Sequence, residues 1–210
     1  KKNKKKIIYF HNFYMCKKLK KDIKDLKVAL VSNYAMACGI AEYSKFLYKE
    51  LAKKLTNFKL FIEELDEYTE DIFSIDELKL SVDQVLPCWK RGGDLSNLIS
   101  KIKEYDPDVI LIQHEFGLWS NARHWISMMN QLSEYKVIVT MHSVYHHKDK
   151  TIVEACIPNI VVHLKEAKDV LKNEKKVNGN VTIIPHGCHP CTDKTRLWNF
   201  YKSNHTFVQQ

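Results

Sequence analysis

The stretch VALVSNYAMACGIAEYSKFL, residues 28–47, carries the pattern that decides the fold. Its first five residues form an apolar run, which is typical of a strand buried on both faces of a sheet. After a short turn, Ile40, Tyr43 and Leu47 recur at the spacing of one helix face. A buried strand, a turn with the single glycine Gly39 and an amphipathic helix predict the opening unit of an α/β sheet.

The alternation of strand and helix patterns continues to about residue 187. Apolar runs predict strands at residues 59–65, 82–86, 109–113, 136–141, 160–164 and 181–185. Helical spacing predicts a helix that Asp94 caps, a second helix with Trp125 on its apolar face, and a third over residues 165–173. Continuously apolar strands that alternate with helices indicate a Rossmann-like, doubly wound and mostly parallel α/β sheet.

The charge is distributed unevenly along the chain. The 210 residues include 33 Lys and Arg and 25 Asp and Glu, so the net charge is +8. Much of the excess lies in residues 1–26, which we interpret as a basic N-terminal extension. Residues 27–188 are predicted to form one Rossmann-like domain, and residues 189–210 a linker that leads into a further, C-terminal domain.

Charge and cysteine content narrow the expected partners and location. A positive net charge favours anionic partners, such as a nucleotide diphosphate or an anionic membrane surface. The sequence has no recognised nucleic-acid motif, so nucleic acid is not expected as a partner. No segment has the length and apolarity of a signal peptide or a membrane span, and six irregularly spaced cysteines indicate reduced thiols. We therefore expect a cytoplasmic protein that contacts an anionic membrane weakly and peripherally.

Polar or titratable residues follow most of the predicted strands. Ligands bind beyond the carboxyl ends of the strands in sheets of this kind, so these residues are candidates for a binding cleft. They are Asn33, His114, Glu115, His142, Ser143, His163 and His186. A single histidine in such a place is more often structural. Right-handed crossovers bring successive strand ends to one edge, however, so the recurrence favours a shared cleft.

Gly39 stands at the predicted start of the first helix, and the sequence leaves two roles open for it. A helix N-terminus presents unpaired N–H groups, and a residue without Cβ lets a phosphate approach them. Alternatively, glycine relieves a turn that needs a positive φ. The chain has neither the GxGxxG pattern nor GxxxxGK followed by Ser or Thr, which disfavours an NAD-binding domain of the usual type and a P-loop NTPase.

Five segments occur in an order that resembles a known enzyme family. They are CGIAEYSKFL, DVILIQHEFGLW, VIVTMHSV, IVVHLKEAKDVL and VTIIPHG, and they lie within residues 27–187. Together they resemble the N-terminal, acceptor-side domain of retaining GT-B glycosyltransferases of family 4. The resemblance implies a two-domain enzyme. This half would bind the acceptor, a C-terminal half would bind a nucleotide sugar, and transfer with retention would take place in the cleft between them.

The resemblance also implies roles for particular residues. Gly39 matches the loop glycine that approaches the donor diphosphate, and His142 matches the catalytic histidine placed beside the transferred sugar. His114 and Glu115 match residues that line the acceptor side. The remaining expected cleft residues are Asn33, Tyr43 and Trp119 for the acceptor, and Ser143, His163 and His186.

The implied reaction uses no metal and no other cofactor, because cationic side chains and helix dipoles stabilise the leaving diphosphate in this family. The donor would be a UDP- or GDP-sugar, and the acceptor a glycan or a lipid-linked sugar of polysaccharide biosynthesis. The donor half's paired glutamates and Arg/Lys clamp have no counterpart before Gln210, so this chain alone is expected to be inactive. Cys38 stands where many members have a second glycine, which makes the expected diphosphate contact weaker.

The same residues leave two other functions open, and one further segment has the residue types of a metal site. A sugar-nucleotide epimerase shares the two-domain architecture, and a non-catalytic Rossmann-like module would bind a glycan or a protein. The segment HGCHPC, residues 186–191, places two histidines and two thiols close together. A structural zinc site usually draws on a second, separated ligand pair, so zinc is not expected in this segment.

Overall fold

The computed structural model describes residues 21–75, 78–146 and 155–187. The predicted N-terminal extension falls mostly outside these ranges, and the predicted linker falls outside them entirely. The same holds for Cys188, His189 and Cys191 of the HGCHPC segment.

Seven strands form one all-parallel sheet, and two further strands form a small antiparallel hairpin beside it. The sheet contains β1 Lys27–Ser32, β2 Asn57–Glu63, β5 Val85–Trp89, β6 Val109–His114, β7 Lys136–Met141, β8 Asn159–Val162 and β9 Asn180–Ile183. The hairpin consists of β3 Ser74–Ile75 and β4 Leu78–Lys79. The helices are α1 Gly39–Ala52, α2 Ser96–Tyr105, α3 Ala122–Gln131 and α4 Lys165–Asp169, which continues as a π-helical segment, Val170–Glu174.

The strand order confirms the predicted Rossmann-like, parallel architecture. The order across the sheet is β5-β2-β1-β6-β7-β8-β9, so the chain first builds outward from β1 and then returns to the other side of β1. The strand order therefore reverses between β1 and β6, the place where sheets of this type bind their ligands. Both strands end at the same edge, because Val31 of β1 pairs in parallel with Ile112 of β6.

Alternating side chains of each strand face opposite layers of helices. Ala29 and Val31 of β1 join Ile110 and Ile112 of β6 in a core that also contains apolar residues of α2 and α3. Leu30, between the first pair, instead packs in a core with residues of β2 and with Tyr48 of α1. Burial on both faces explains why the strand sequences are continuously apolar.

Several predicted boundaries are wrong; the strands predicted at residues 160–164 and 181–185, for example, are Asn159–Val162 and Asn180–Ile183. The second strand covers residues 57–63 rather than 59–65. The strand predicted at residues 82–86 begins at Val85, because a turn comes first, with Gln84 N–H donating to the carbonyl of Ser81 and Val82 75% exposed. Leu95, not Asp94, is the N-cap of α2. Asp94 stands one residue earlier and accepts the backbone N–H of Ser96 at 3.2 Å.

Within the described ranges, no helix combines the length and the apolarity that a membrane crossing requires.

Ile112 provides a test of the two-sided packing. It is fully buried in the core on the α2 and α3 side. We expect Ile112→Ala to lower the free energy of unfolding by about 2–5 kcal/mol, because it leaves a cavity between sheet and helices. The exposed Val82→Ala is the matched control and should stay within about 0.5 kcal/mol of the parent protein. Urea unfolding measures both, and equal effects would contradict the placement of β6.

Candidate functional site

Four aromatic side chains meet beyond the carboxyl ends of β7, β8 and β9, and we call them the four-ring cluster. They are Tyr43, His142, His163 and His186. Tyr43 lies in α1, and its ring centroid is 4.8 Å from that of His142, 5.4 Å from His163 and 5.2 Å from His186. The centroids of His163 and His186 are 4.7 Å apart, and those of His142 and His163 are 5.2 Å apart. The cluster therefore brings together one helix and three strand ends.

The strand register explains why these rings meet. Met141 is level with Val162, and Val162 is level with Ile183. His142 and His163 are the next residues on adjacent strands, so they lie at equivalent positions about 4.8 Å apart along the hydrogen-bonding direction. The chain beyond β9 stays alongside, because Ile184 N–H donates to the carbonyl of Val162 at 2.9 Å.

Hydrogen bonds fix the protonated nitrogen of each histidine in the cluster. Nε2 of His142 lies 2.9 Å from Oε1 of Gln113, Nδ1 of His163 lies 2.9 Å from the carbonyl of Ile184, and Nδ1 of His186 lies 2.6 Å from the carbonyl of Gly187. These oxygens only accept, so each named nitrogen donates. In the neutral ring, the other nitrogen then carries a lone pair.

Burial keeps His142 and Tyr43 uncharged at neutral pH. It lowers the pKa of His142 to about 4, with further lowering from His163, His186 and His114, while Glu115 acts in the opposite direction. Burial also raises the pKa of Tyr43, so its phenol stays protonated. The cluster therefore offers the neutral imidazole of His142 and the neutral phenol of Tyr43.

The three histidines are close enough together to be considered as metal ligands. One ring nitrogen from each of His142, His163 and His186 lies within 4.8 Å of the other two. Beside them is a cavity of about 180 Å³, whose lining includes His142, Ser143, His163 and Glu166. A small ligand could reach the histidines from this cavity.

Glu115 and Ser143 form a second polar group near the cluster. Oγ of Ser143 donates to Oε1 of Glu115 at 3.1 Å, and the backbone N–H of Gly117 donates to Oε2 of the same carboxylate. A Cβ on Gly117 would approach Oε2 to 2.9 Å, so a glycine lets the loop fold closely around the carboxylate. Glu115 is half-buried, and the loop holds it in one orientation.

A buried carboxylate, Glu63, joins the loops after β1, β2 and β5, and sequence reasoning missed it. Glu63 is 5% exposed; it accepts Nδ2 of Asn33 and both Nε and Nη2 of Arg91, the latter two at 3.2 and 3.1 Å. The hydrogen bond to Glu63 raises the pKa of Arg91 above its usual value. The feature of the sequence that could have identified Glu63 is a glutamate at the end of an apolar strand. Asn33, an expected acceptor residue, is thus engaged in this network.

Two expected acceptor residues, Trp119 and His114, lie in the core. Trp119 is 6% exposed, stacks on Trp89 with ring centroids 4.7 Å apart, and donates from Nε1 to the carbonyl of Gln113 at 3.0 Å. His114 is 2% exposed, and the rings of Phe116 and Trp125 contact it edge-on. Neither ring face is open to a sugar in this conformation. The predicted core position of Trp125 is confirmed.

Gly39 is the first residue of α1, with Cys38 as the N-cap. Among the described glycines only Gly92 has a positive φ, so relief of a left-handed turn does not explain Gly39. The positive φ of this turn belongs to Ala35, at 51°. A Cβ on Gly39 would meet no atom within 4 Å, so the space in front of the helix N-terminus is open.

The comparisons with known proteins include a structural likeness to a glycosyltransferase. A crystal structure of a glycosyltransferase from Rickettsia africae ESF-5 is 15% identical to this chain, with a TM-score of 0.47. The match covers 86% of this chain and 50% of that chain, so this chain spans about half the length of that protein. No protein-family model matches the chain, and no curated protein matches it.

The Glu63 network can be tested through Arg91. Removal of the guanidinium in Arg91→Met leaves a nearly buried carboxylate with Asn33 as its remaining side-chain donor among the described residues. We expect a loss of about 1–3 kcal/mol in unfolding free energy. Lys53→Met, which breaks the exposed pair with Glu50, is the control and should have a much smaller effect. Thermal and urea unfolding compare the two variants, and equal losses would contradict a supporting role for Arg91.

Proposed function

We propose that this chain is the acceptor-side half of a retaining glycosyltransferase. The enzyme would move a sugar from a nucleotide sugar to a glycan or a lipid-linked acceptor. The observation that most supports this proposal is the contact between Tyr43 of α1 and His142 after β7, which lie 4.8 Å apart between ring centroids. It joins the helix that begins at Gly39 to the strand end that carries the proposed catalytic histidine.

The N-terminus of α1 suits the diphosphate of the donor. The first backbone N–H groups of a helix lack partners within the helix, and the helix dipole adds partial positive charge there. Gly39 leaves the space in front of these groups open. We propose that a phosphate oxygen of the donor binds at this position, as the sequence resemblance implies.

His142 suits a role in positioning rather than in proton transfer. With a pKa of about 4 it is a weak base, and it is neutral at pH 7 and so rarely carries the second ring proton that it could donate. Its bond to Gln113 fixes Nε2 as the donor, which leaves Nδ1 to accept a hydrogen bond from a hydroxyl of the transferred sugar. Such a contact contributes to catalysis if it strengthens as charge develops at the sugar ring.

The proposed transfer step needs no nucleophile on this half of the enzyme. The acceptor oxygen bonds to the anomeric carbon as the bond from that carbon to the diphosphate oxygen breaks on the same face. The acceptor's proton passes to the departing diphosphate, which leaves with the bonding electron pair. The protein then contributes positioning and charge stabilisation.

Glu115 and Ser143 are the proposed contacts for the acceptor, because both are partly exposed polar groups held together beside His142. A carboxylate and a hydroxyl together can accept from and donate to sugar hydroxyls. Asn33 and Glu63 would not contact the acceptor directly. Their hydrogen bonds would hold the loops after β1, β2 and β5 in place. Trp119 and His114 act from the core by supporting the strand that carries Gln113.

The donor-binding half, in this proposal, follows residue 210 in the full-length protein. The base and phosphates of the nucleotide sugar would bind mainly to that half and meet Gly39 across the cleft. We further propose a cytoplasmic enzyme that reaches lipid-linked acceptors by weak contact of its lysine-rich N-terminus with an anionic membrane.

The role of His142 can be tested by substitution. His142→Ala in the full-length protein should lower kcat for nucleotide-sugar turnover by roughly 10²-fold, about 2.7 kcal/mol of transition-state stabilisation. His124→Ala is the control, because His124 lies on α3 and bonds the carbonyl of Gly93, outside the four-ring cluster and its cavity. Thermal midpoints of both variants are measured alongside turnover. A near-normal kcat in His142→Ala, or a loss that unfolding fully explains, would contradict the catalytic role.

The proposed separation of donor binding and acceptor binding between the two halves gives a second test. Calorimetry of the 210-residue chain with UDP- and GDP-sugars should show no tight binding, because the main donor contacts lie in the other half. The full-length protein is the positive control and should bind one of these nucleotide sugars. Micromolar binding to the 210-residue chain would show that the donor site has been misplaced.

A further inference from the structure

The three histidines of the four-ring cluster have the hydrogen bonding that metal-binding histidines show. A metal-ligating imidazole almost always donates its other N–H to a carbonyl, a carboxylate or a water, which fixes the tautomer and orients the ring. Here His142 donates to the side-chain carbonyl of Gln113, while His163 and His186 donate to the backbone carbonyls of Ile184 and Gly187. All three rings therefore keep one nitrogen lone pair available.

One of these lone pairs is buried without a partner. Nε2 of His163 is inaccessible to solvent and has no hydrogen-bond partner among the described residues. A buried acceptor without a partner destabilises the folded state, so such an atom in a folded protein calls for an explanation. Coordination to a metal ion would satisfy it.

We propose that His142, His163 and His186 bind a divalent transition metal, with Zn²⁺ as the best match, across the carboxyl ends of β7, β8 and β9. One ring nitrogen of each lies within 4.8 Å of the other two. Three protein ligands leave the fourth tetrahedral position open to water or to an oxygen of a bound anion. The site goes beyond the proposed transfer function. Metal and sugar would compete at His142, because the Nδ1 lone pair that would bind the metal is the one proposed to accept a sugar hydroxyl.

The geometry needs only a small adjustment. Nitrogens bound at about 2.0–2.1 Å to a tetrahedral zinc lie about 3.3 Å from one another. His142 and His163 follow paired strands and have little freedom, but His186 is exposed and lies three residues beyond β9. His186 is therefore the ring with the most freedom to move toward the other two. The ring of Tyr43 covers one side of the site.

The donor set also selects the class of metal. Imidazole nitrogens suit Zn²⁺, Cu²⁺, Ni²⁺ and Co²⁺, whereas Mg²⁺ and Ca²⁺ prefer oxygen ligands. The cluster supplies three nitrogens and no carboxylate.

Metal binding can be measured on the purified chain without any knowledge of its substrates. The protein is stripped with a chelator, exposed to Zn²⁺ and passed over a desalting column, and bound zinc is counted by mass spectrometry. Calorimetry with Zn²⁺ gives the affinity, and Co²⁺ substitution reports the ligand geometry by visible absorption. We expect one zinc per chain, and a Co²⁺ spectrum of a tetrahedral nitrogen and oxygen site without a thiolate charge-transfer band.

Three variants test the proposed ligands and the hydrogen-bond partner of one of them, and a fourth variant is the control. His186→Ala, an exposed position that leaves folding intact, and His163→Ala should each weaken Zn²⁺ binding at least about 100-fold. Gln113→Met should weaken it about 10–100-fold, the usual effect of losing an outer-shell partner. His124→Ala is the matched control: His124 also bonds a backbone carbonyl, that of Gly93, but lies on α3 outside the cluster. Its affinity should be unchanged.

Two results would overturn the proposal. The first is the absence of stoichiometric Zn²⁺ or Co²⁺ binding by the folded parent chain. The second is binding that survives in His186→Ala and His163→Ala but is lost in the double variant Cys188→Ser/Cys191→Ser, which would assign the metal to the thiols that follow His186. Neither result bears on sugar transfer, so the proposed function stands or falls separately.

Discussion

The in-register parallel pairing of the strands is the constraint on which the rest of the structure depends. Because Met141, Val162 and Ile183 are level across β7, β8 and β9, the residues that follow them emerge together at one edge. The same alignment of β1 with β6 places the strand-order reversal at this edge. Nothing in the local sequence around His142 or His163 would bring them together without this register.

Burial then determines the chemistry at that edge. Gln113 is fully buried, so its carbonyl must find a donor, and it finds the ring of His142. Glu63 is nearly buried, and a charge in that place needs the paired donors that Arg91 and Asn33 supply. These polar contacts hold the side chains of His142, Asn33 and Arg91 in defined orientations. The bonds of Glu63 to Asn33 and Arg91 also connect the loops after β1, β2 and β5 to one another.

The sequence predicted the sheet well because buried strands and amphipathic helices leave periodic patterns. It also identified His142, His163 and His186 as strand-end residues. It did not predict that Glu63 and Arg91 pair, because the two lie 28 positions apart and only the β2–β5 pairing joins their strands. It assigned Trp119 to acceptor binding, whereas that ring packs in the core. The side chain of an aromatic residue after a strand can point either into the core or into the cleft, and the sequence does not distinguish the two. Histidine tautomers depend on acceptors such as the carbonyl of Ile184, which no local pattern reveals.

The measurement that tests the account most directly is product analysis with the full-length protein. It would be incubated with UDP- and GDP-sugars and a panel of glycan and lipid-linked acceptors, and NMR would identify the product and its anomeric configuration. The account predicts acceptor-dependent release of nucleoside diphosphate and a glycoside with the donor's configuration. Epimerisation of the nucleotide sugar without transfer, or no reaction with any donor by a folded full-length protein, would contradict it.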